Sequence, residues 1–284
     1  MNGFVNINKL SGMGSTYAVG RVKKKLNARC GHMGTLDPLA SGVLPVGIGK
    51  STRLFDFLLD KQKTYVAEFE FGYLTDTLDC EGTVVKSGGL IPTKEEITRV
   101  LGDFIGQIDQ VPPNFSAKMV DGKRGYDLAR RGVEFTLPPK RVTIDNIELC
   151  SQISEGKYSF RIDCRGGTYI RSLARDISAA LGTYATMTAL CRTAAGIFTL
   201  ENAVTVEELL DSDNPWQYVI PTDEAVSFPK LTLSGEQATK LLNGVFEDLG
   251  TEDGTYRVYA PEGFWGIGVS EGGILRMKAY CREC

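Results

Sequence analysis

This chain of 284 residues has little histidine and few cysteines that are spaced as pairs. It contains one histidine, His32, and seven scattered cysteines. An odd number of cysteines without paired spacing argues against a disulfide framework. Only Cys281 and Cys284 have the spacing of metal ligands, and without a second pair a closed tetrahedral zinc site is not expected. We therefore predict no metal site, and a frayed C-terminus that carries two thiols.

Long hydrophobic runs and targeting signals are also missing. No apolar run approaches the length of a bilayer span, and residues 1–9 have neither the cationic start nor the apolar segment of a signal peptide. The composition, 42% hydrophobic and 24% charged, is ordinary for a globular protein and supplies enough apolar material for a core. We expect a cytoplasmic protein without membrane association, built as one large domain or one large and one small domain.

Several nucleotide-binding and hydrolase motifs are incomplete. Residues 47–51 resemble the end of a phosphate-binding loop, but Leu44 stands where that loop needs glycine. Gly12 and Gly14 lack the third glycine of a dinucleotide site. No Gly-x-Ser-x-Gly elbow occurs anywhere in the chain. These gaps exclude an NTPase, a dinucleotide-dependent enzyme and a serine hydrolase with that elbow.

Charge is distributed unevenly along the chain. Its formal net charge is -3, yet residues 201–284 hold 6 Lys and Arg against 15 Asp and Glu, and residues 1–200 hold 26 against 20. Such asymmetry favours nucleic-acid binding by the N-terminal part. Two differently charged solvated faces are the alternative.

Strands and helices alternate irregularly, which predicts an α+β fold with a largely antiparallel or mixed sheet. Periodicity places strands at 4–7, 43–48, 64–71, 144–150 and 158–164, and helices at 15–29 and 169–181. Capping boxes at Thr93 and Thr205 begin two more helices. After a boundary near 221–230, one helix from Ser234 and three short strands suggest a small β-barrel.

Residues 31–42, Gly-His-Met-Gly-Thr-Leu-Asp-Pro-Leu-Ala-Ser-Gly, form the most specific run of the sequence. Three glycines permit backbone conformations that other residues avoid. Pro38 fixes the dihedral after Asp37 and biases Asp37 towards an extended conformation. The run is suited to hold one carboxylate in one orientation, and Asp37 is the leading catalytic candidate. A glycine-rich turn with an exposed aspartate is the alternative.

This run, continued by Gly49, Thr52 and Arg53, resembles the signature of the TruB family of tRNA pseudouridine synthases. Four further segments match in order: Lys63-Thr64-Tyr65 leading to Thr75-Asp76-Thr77-x-Asp79-x-x-Gly82; Pro112-Pro113-x-x-Ser116 through Gly132; Gly167-Thr168-Tyr169-Ile170-Arg171; and Leu190-Cys191-Arg192-Thr193. Two departures are Leu10, where the family has proline, and Cys191, where arginine is common. The resemblance implies a pseudouridine-synthase catalytic domain at 1–228, an RNA-binding insertion at about 110–141, and a PUA-like RNA-binding domain at 229–284.

The resemblance also implies a reaction. A uridine at position 55 in the T-loop of tRNA is isomerised to pseudouridine: the N1–C1′ bond breaks and C5 joins C1′. Asp37 would be the nucleophile, and Arg171 would face it and keep it ionised. Tyr65 would stack on the uracil with its hydroxyl near C5. By residue pattern alone, Tyr65 is a core aromatic and Arg171 a surface arginine. Whether Asp37 attacks C1′ or C6, or first removes a ribose proton, stays open.

Substrate contacts follow from the same resemblance. The target base must be flipped out of its loop, with Tyr169 and Leu190 as apolar walls of the pocket. His32 would contact RNA beside the flipped nucleotide, and Asp79 would orient basic neighbours. A basic flap would clamp the RNA, and its candidate residues are Lys118, Lys123, Arg124 and Tyr126. The implied partner is the T-stem-loop of tRNA, with no obligate protein partner and no metal or organic cofactor.

Two other functions remain open from the sequence. A guide-RNA-dependent pseudouridine synthase would share the Asp37 motif but work within a ribonucleoprotein. A non-catalytic tRNA-folding chaperone would bind and flip without chemistry. A stand-alone isomerase is favoured, because guide-dependent relatives usually carry longer tails.

Overall fold

Eighteen strands and seven α-helices account for most of the described residues. The computed structural model describes residues 2–58, 62–116, 118–120, 122–133 and 135–282, with backbone alone at 120, 123 and 124. The strands are β1 (Gly3–Lys9), β2 (Cys30–His32), β3 (Ser41–Ile48), β4 (Lys63–Phe71), β5 (Tyr73–Thr75), β6 (Val84–Ser87), β7 (Gly106–Gln110), β8 (Met119–Val120), β9 (Lys123–Arg124), β10 (Lys140–Ser154), β11 (Lys157–Cys164), β12 (Ala185–Ala195), β13 (Phe198–Thr199), β14 (Val219–Ile220), β15 (Lys230–Thr232), β16 (Gly254–Ala260), β17 (Gly263–Glu271) and β18 (Ile274–Tyr280). The helices are α1 (Ser15–Leu26), α2 (Phe55–Leu58), α3 (Lys94–Leu101), α4 (Gly125–Arg130), α5 (Ile170–Ala180), α6 (Val206–Asp211) and α7 (Gly235–Leu242).

The chain divides into two compact units. Unit 1 comprises Met1–Pro38, Val43–Leu59 and Ile197–Cys284, and unit 2 comprises Leu39–Gly42 and Asp60–Gly196. Strand β3 therefore begins in unit 2 and continues in unit 1. The domain boundary that the sequence suggests, between residues 228 and 229, falls inside unit 1 and stays a prediction.

Unit 2 is built on five long strands in the order β12-β4-β11-β10-β7, all antiparallel. The first residues of β3 add a short parallel pairing, Ser41 with Cys191 and Gly42 with Arg192. Helices α3 and α5 belong to the same unit. The predicted α+β class with a mixed sheet is confirmed.

Alternation along β4 separates a core face from an outer face. Tyr65, Ala67, Phe69 and Phe71 are buried, whereas Val66 between them is exposed. Successive side chains of a strand point to opposite faces, so this pattern follows from the sequence alternation. The Phe69 ring stacks on Phe160 of β11 with centroids 4.7 Å apart. The predicted strand and its inner face are both confirmed.

Helix boundaries follow the predicted caps. Thr93 and Thr205 form capping boxes with Glu96 and Glu208, and a third box joins Ser234 to Gln237 at the start of α7. Each box pairs two backbone N–H groups that a helix N-terminus would otherwise leave unpaired. The inner face predicted for the helix at 169–181 is also observed, because Ile170, Leu173, Ala174 and Ile177 of α5 are buried.

Unit 1 contains the strand order β14-β1-β3, with β2 antiparallel to β3. Its C-terminal part is a sheet in the order β15-β16-β17-β18, with β15 parallel to β16 and the other pairs antiparallel. Trp265, Val258 and Leu275 pack there with Leu241 of α7. In the described part of the chain, no pairing joins β15 to β18, so closure into a barrel stays a prediction.

The C-terminal residues up to 282 are fixed, and the expectation of a frayed end is wrong for them. Cys281 is 3% exposed and its Sγ donates to the carbonyl of Lys50 at 3.7 Å. Lys50 Nζ donates to the carbonyl of Arg282 at 2.9 Å, and Arg53 Nη1 to that of Tyr280 at 2.8 Å. Residues 50–53, at the end of the segment that resembles a phosphate-binding loop, thus hold the end of strand β18 in place by hydrogen bonds. Cys284 lies outside the described residues.

Within the described ranges, no helix combines the length and the apolar character needed to cross a membrane.

Candidate functional site

Asp37 lies in a loop whose backbone is fixed on its C-terminal side. The ammonium of Lys9, at the end of β1, is fully buried and donates to the carbonyls of Met13 at 2.6 Å and Pro38 at 3.2 Å. The N–H of Gly12 donates to the same Pro38 carbonyl at 2.8 Å. A buried ammonium is costly unless hydrogen-bonded, so Lys9 is held strongly to this turn.

The N-terminal side of Asp37 is fixed by the start of helix α1. Ser15 Oγ donates to the carbonyl of Leu36 at 2.7 Å, and the N–H of Leu36 donates back to Ser15 Oγ at 3.0 Å. Gly34 has a φ of +84°, which glycine adopts without strain. Asp37 itself is half-buried. Both neighbours of this residue therefore have hydrogen-bonded backbones, which restricts the directions that its carboxylate can take.

His32 belongs to the same unit as Asp37. It ends β2, pairs with Val46 of β3, and is half-buried. Among the predicted site residues, His32 and Asp37 are in unit 1 and all others are in unit 2.

Arg171 in the first turn of α5 is a buried cation and not a surface arginine. Its Nη1 donates to the carbonyl of Thr77 at 2.8 Å and its Nη2 to that of Phe115 at 3.1 Å. Nη1 also lies 3.4 Å from Asp79 Oδ2, and the side chains of Arg171 and Asp79 are each only 7% exposed. Low exposure strengthens this ion pair and makes the loss of one partner destabilising.

The carboxylate of Asp79 is itself held by its own turn. It accepts from Thr77 Oγ1 at 2.6 Å and from the N–H of Glu81 at 3.2 Å. Thr75 Oγ1 donates to the Asp79 carbonyl at 2.6 Å, and a Cβ at Gly82 would overlap the side chain of Thr77. The Thr75–Gly82 segment thus forms a compact turn around the carboxylate that pairs with Arg171.

Tyr65 and Leu190 lie on neighbouring strands of unit 2. Leu190 of β12 pairs with Ala67 of β4, and Tyr65 pairs with Arg192. Directly paired residues of antiparallel strands share a face, so Tyr65, Leu190 and Arg192 face the same side of the sheet. All three are buried. Arg192 is a residue that sequence reasoning missed as a site candidate, although the resemblance already pointed to its segment.

Tyr169 immediately precedes α5. Its backbone is bonded to the side chain of Gln110, the last residue of β7, with N–H to Oε1 at 2.8 Å and Nε2 to the carbonyl at 3.1 Å. Ser172 Oγ and Arg175 Nη2 both donate to the carbonyl of Val111, at 2.9 and 3.0 Å. The beginning of α5 is therefore attached to residues 110–111, a contact that the sequence did not predict.

The predicted RNA-binding insertion carries helix α4. The N–H of Gly125 donates to the carbonyl of Lys118 at 2.7 Å, and that of Tyr126 to the carbonyl of Ser116 at 3.0 Å. The guanidinium of Arg130 lies over the Tyr126 ring at 5.6 Å. Lys118 is half-buried. The predictions for Lys123 and Arg124 concern side chains that lie outside the described structure.

Comparison with solved structures defines the class of protein. The chain matches a chain of a crystal structure titled as a Cbf5-Nop10-Gar1 complex with a TM-score of 0.70 and 28% identity, covering 94% of this chain and 78% of the other. The fold is that of the pseudouridine synthases. A family model for the TruB pseudouridylate synthase N-terminal domain matches residues 22–170, and one for the tRNA pseudouridylate synthase B C-terminal domain matches residues 171–227. The chain belongs to the TruB family of pseudouridylate synthases.

Curated relatives agree with this assignment. A Clostridium kluyveri protein named tRNA pseudouridine synthase B is 40% identical over 281 residues, covering 95% of this chain and 96% of its own length. An Aquifex aeolicus protein of the same name is 40% identical over 283 residues, covering 98% and 99%. The resemblance drawn from the motifs is confirmed at the level of the family.

Proposed function

We propose that this chain isomerises a uridine in the T-stem-loop of tRNA, position 55, to pseudouridine. Membership of the TruB family supports the reaction, and the names of its 40%-identical relatives support tRNA as the substrate. The reaction needs no co-reactant: the N1–C1′ bond breaks, a C5–C1′ bond forms, C5 loses a proton and N1 gains one.

Asp37 is the proposed nucleophile. A carboxylate nucleophile splits one difficult bond exchange into two easier steps, and it must be aimed at a single carbon atom. The observation that carries this assignment is the double restraint of the loop: Lys9 and Gly12 bind the backbone after Asp37, and Ser15 binds the backbone before it. Restraint before the substrate arrives lowers the entropic part of the barrier.

Arg171 and Tyr65 are proposed to assist Asp37. Arg171 is assigned the positive charge that keeps a carboxylate nucleophile ionised, and its two carbonyl contacts and the Asp79 carboxylate hold that charge in place. Tyr65 is assigned the stacking surface for the flipped uracil, with its hydroxyl as a route for the C5 proton. Leu190 and Tyr169 are proposed as apolar walls of the pocket, and His32 as an RNA contact.

The basic insertion is proposed to clamp the RNA through Lys118, Lys123, Arg124 and Tyr126. Phosphate contacts of this kind supply affinity that depends on salt and not on base sequence. A flap that becomes ordered on the RNA would enlarge the contact area with the substrate, and no preformed rigid groove would be needed.

A synthase that works within a larger assembly is the second candidate. The observation that favours it is the structural similarity to a chain from a Cbf5-Nop10-Gar1 complex. The relatives that are 40% identical over at least 95% of this chain are named tRNA pseudouridine synthase B, which favours tRNA as the direct substrate of this chain. A chaperone that acts on tRNA without chemistry is separated from both synthases by the same experiment, because it would bind tRNA without turnover whether or not proteins or guide RNA are added.

The test is turnover by the purified chain alone on an unmodified T-stem-loop labelled with tritium at C5 of uridine. We expect tritium release and a pseudouridine peak in nucleoside chromatography. Asp37→Asn should abolish both while tRNA binding persists, and Asp103→Asn, at an exposed aspartate outside the site segments, should retain both. Absence of turnover without added proteins or guide RNA would support the assembly candidate, and undiminished turnover by Asp37→Asn would remove Asp37 from its role.

A further inference from the structure

Helix α1 has a polar face to which the proposed chemistry assigns no role. Its inner face consists of Ser15, Ala18, Val22 and Leu26, which are buried. At 100° per residue, the opposite face is centred on Lys24, with Tyr17 and Gly20 beside it and Arg21 and Lys23 on its flanks. Tyr17 is 58% exposed. The helix has no acidic residue in its first turn and three lysines in its last.

Among the described residues, several cations of this face have no carboxylate within ion-pair distance. Within the described part of the chain, Lys23, Lys24 and Arg29 form no ion pair. The guanidinium of Arg21 lies over the Tyr17 ring at 5.9 Å, and Lys25 Nζ donates a hydrogen bond to the carbonyl of Leu210 at 2.6 Å.

Cations on the sheet of unit 2 behave differently. Ion pairs join Arg141 to Asp109 at 3.1 Å, Lys157 to Glu68 at 2.7 Å and Arg165 to Asp145 at 2.9 Å. A carboxylate partner weakens the field that a cation presents to a distant polyanion, whereas the fields of unpaired cations on one face add up. The helix dipole explains why lysines are favourable in the last turn of α1. It does not explain Arg21 and the exposed Tyr17, which lie nearer the start of the helix.

The position of α1 connects this face to the candidate nucleophile. Its first residue, Ser15, is hydrogen-bonded to Leu36, which precedes Asp37. With a rise of 1.5 Å per residue, Lys24 lies about 14 Å along the helix from Ser15. A polyanion whose reacting nucleotide sits at Asp37 therefore has phosphates further along its chain within reach of this face.

We propose that the exposed face of α1, formed by Tyr17, Arg21, Lys23 and Lys24, together with Arg29 three residues after the helix ends, binds the phosphate backbone of the tRNA substrate. This inference rests on the proposed function, which supplies tRNA as the polyanion. Each lysine that meets a phosphate releases a condensed counterion, which favours binding at low salt. Tyr17 and Arg21, already in contact, offer a flat surface to a base or ribose of the same strand.

The test removes the two unpaired lysines with Lys23→Gln/Lys24→Gln, because glutamine retains helix propensity. Binding of whole tRNA is measured by fluorescence anisotropy between about 50 and 200 mM salt. We expect Kd to rise about 10- to 100-fold at the lowest salt, and the slope of log Kd against log salt to fall by about 1 to 2. Turnover at saturating tRNA should be unchanged, because neither lysine belongs to the proposed catalytic set.

A double variant on another helix controls for net charge. Lys94→Gln/Arg99→Gln removes two exposed cations from α3, where Glu95 and Glu96 stand in the first turn. Its Kd and salt slope should match the unmutated protein. Lys23→Arg/Lys24→Arg keeps the charge of α1 and should bind tRNA like the unmutated protein. This result is expected if the charge matters, and it is not required if the lysines have only a structural role.

Two outcomes are distinguishable. If the unmutated chain binds and modifies tRNA but the α1 glutamine variant has the same Kd and salt slope, the inference is overturned and the proposed function stands. If the unmutated chain neither binds nor modifies tRNA, the proposed function fails before the α1 face is in question.

Discussion

The side-chain amide of Gln110 binds both polar groups of the Tyr169 backbone, accepting its N–H at 2.8 Å and donating to its carbonyl at 3.1 Å. Gln110 ends strand β7 and is 1% exposed. Tyr169 is the residue before α5, and Arg171 lies in the first turn of that helix. One buried glutamine thus sets where the helix that carries the Arg171 guanidinium begins.

Replacing Gln110 should therefore affect catalysis through Arg171. Gln110→Ala removes both hydrogen bonds and lets the start of α5 shift. We expect kcat for pseudouridine formation to fall about 10- to 100-fold, since displacement of a catalytic group by about 1 Å has effects of that size. The measurement is tritium release under multiple-turnover conditions at saturating tRNA.

Gln107→Ala is the control for this variant, because Gln107 is an exposed residue of the same strand. It should leave kcat unchanged. Equal kcat values for Gln110→Ala and Gln107→Ala would show that the Gln110 contact does not position Arg171.

Local features of the chain were predictable from sequence, because they depend on residues close together in it. The inner face of β4, the caps of α3 and α6 and the glycine-rich run around Asp37 are of this kind. Helix α1 ends at Leu26 and not at Arg29, because Asn27 takes a left-handed conformation with φ +47° and its N–H bonds to the carbonyl of Lys23. Asparagine is one of the few residues that adopt this conformation readily, so Asn27 could have indicated the end of α1 from the sequence, but this end was not predicted.

Features that join distant residues were not predictable. Strand β12 was not predicted because its alanines and threonines give only a weak alternation of apolar and polar residues. Register shifts at 187/189 and 192/194 interrupt this alternation further. The hydrogen bonds from Gln110 to Tyr169 and from Arg171 to Phe115 join residues more than 50 positions apart. Only the family resemblance pointed towards Arg171 and towards Asp79 as a residue that orients basic neighbours, and no residue pattern indicated that the two would pair with each other.

The buried pair of Asp79 and Arg171 should contribute to stability. Asp79→Asn keeps the size of the side chain but removes the charge that balances a guanidinium 3.4 Å away. We expect the free energy of unfolding to fall by about 3 kcal/mol, the usual result of removing one partner of a buried pair. The measurement is urea denaturation followed by circular dichroism.

The exposed pair of Asp109 and Arg141 provides the comparison. Its side chains are 57% and 66% exposed, and solvent screens such a pair strongly. Asp109→Asn should leave the urea midpoint unchanged within error. A midpoint for Asp79→Asn that equals this control would mean that the Asp79 pair adds nothing to stability.

Gly42 should tolerate no side chain. Its φ is +97°, and a Cβ there would overlap the carbonyl of Arg192 on β12. Backbone strain and this overlap together should make Gly42→Ala less stable by about 2 kcal/mol or more. Gly20 of α1 has open space around the same position, so Gly20→Ala should raise stability by about 0.5–1 kcal/mol. Opposite shifts in melting temperature are expected, and a stabilised Gly42→Ala would contradict the close approach of β12.

Cys281 should be chemically protected in the folded protein. Burial raises the pKa of its thiol to about 11, so at about pH 8 the reactive thiolate is scarce. Cys150 is exposed. We expect iodoacetamide to alkylate Cys150 within minutes and Cys281 only after denaturation, as measured by mass spectrometry of tryptic peptides. Cleavage after Arg282 separates Cys281 from Cys284, so the two thiols are read independently. Equal labelling rates for Cys150 and Cys281 in the native protein would mean that β18 is not fastened by residues 50–53.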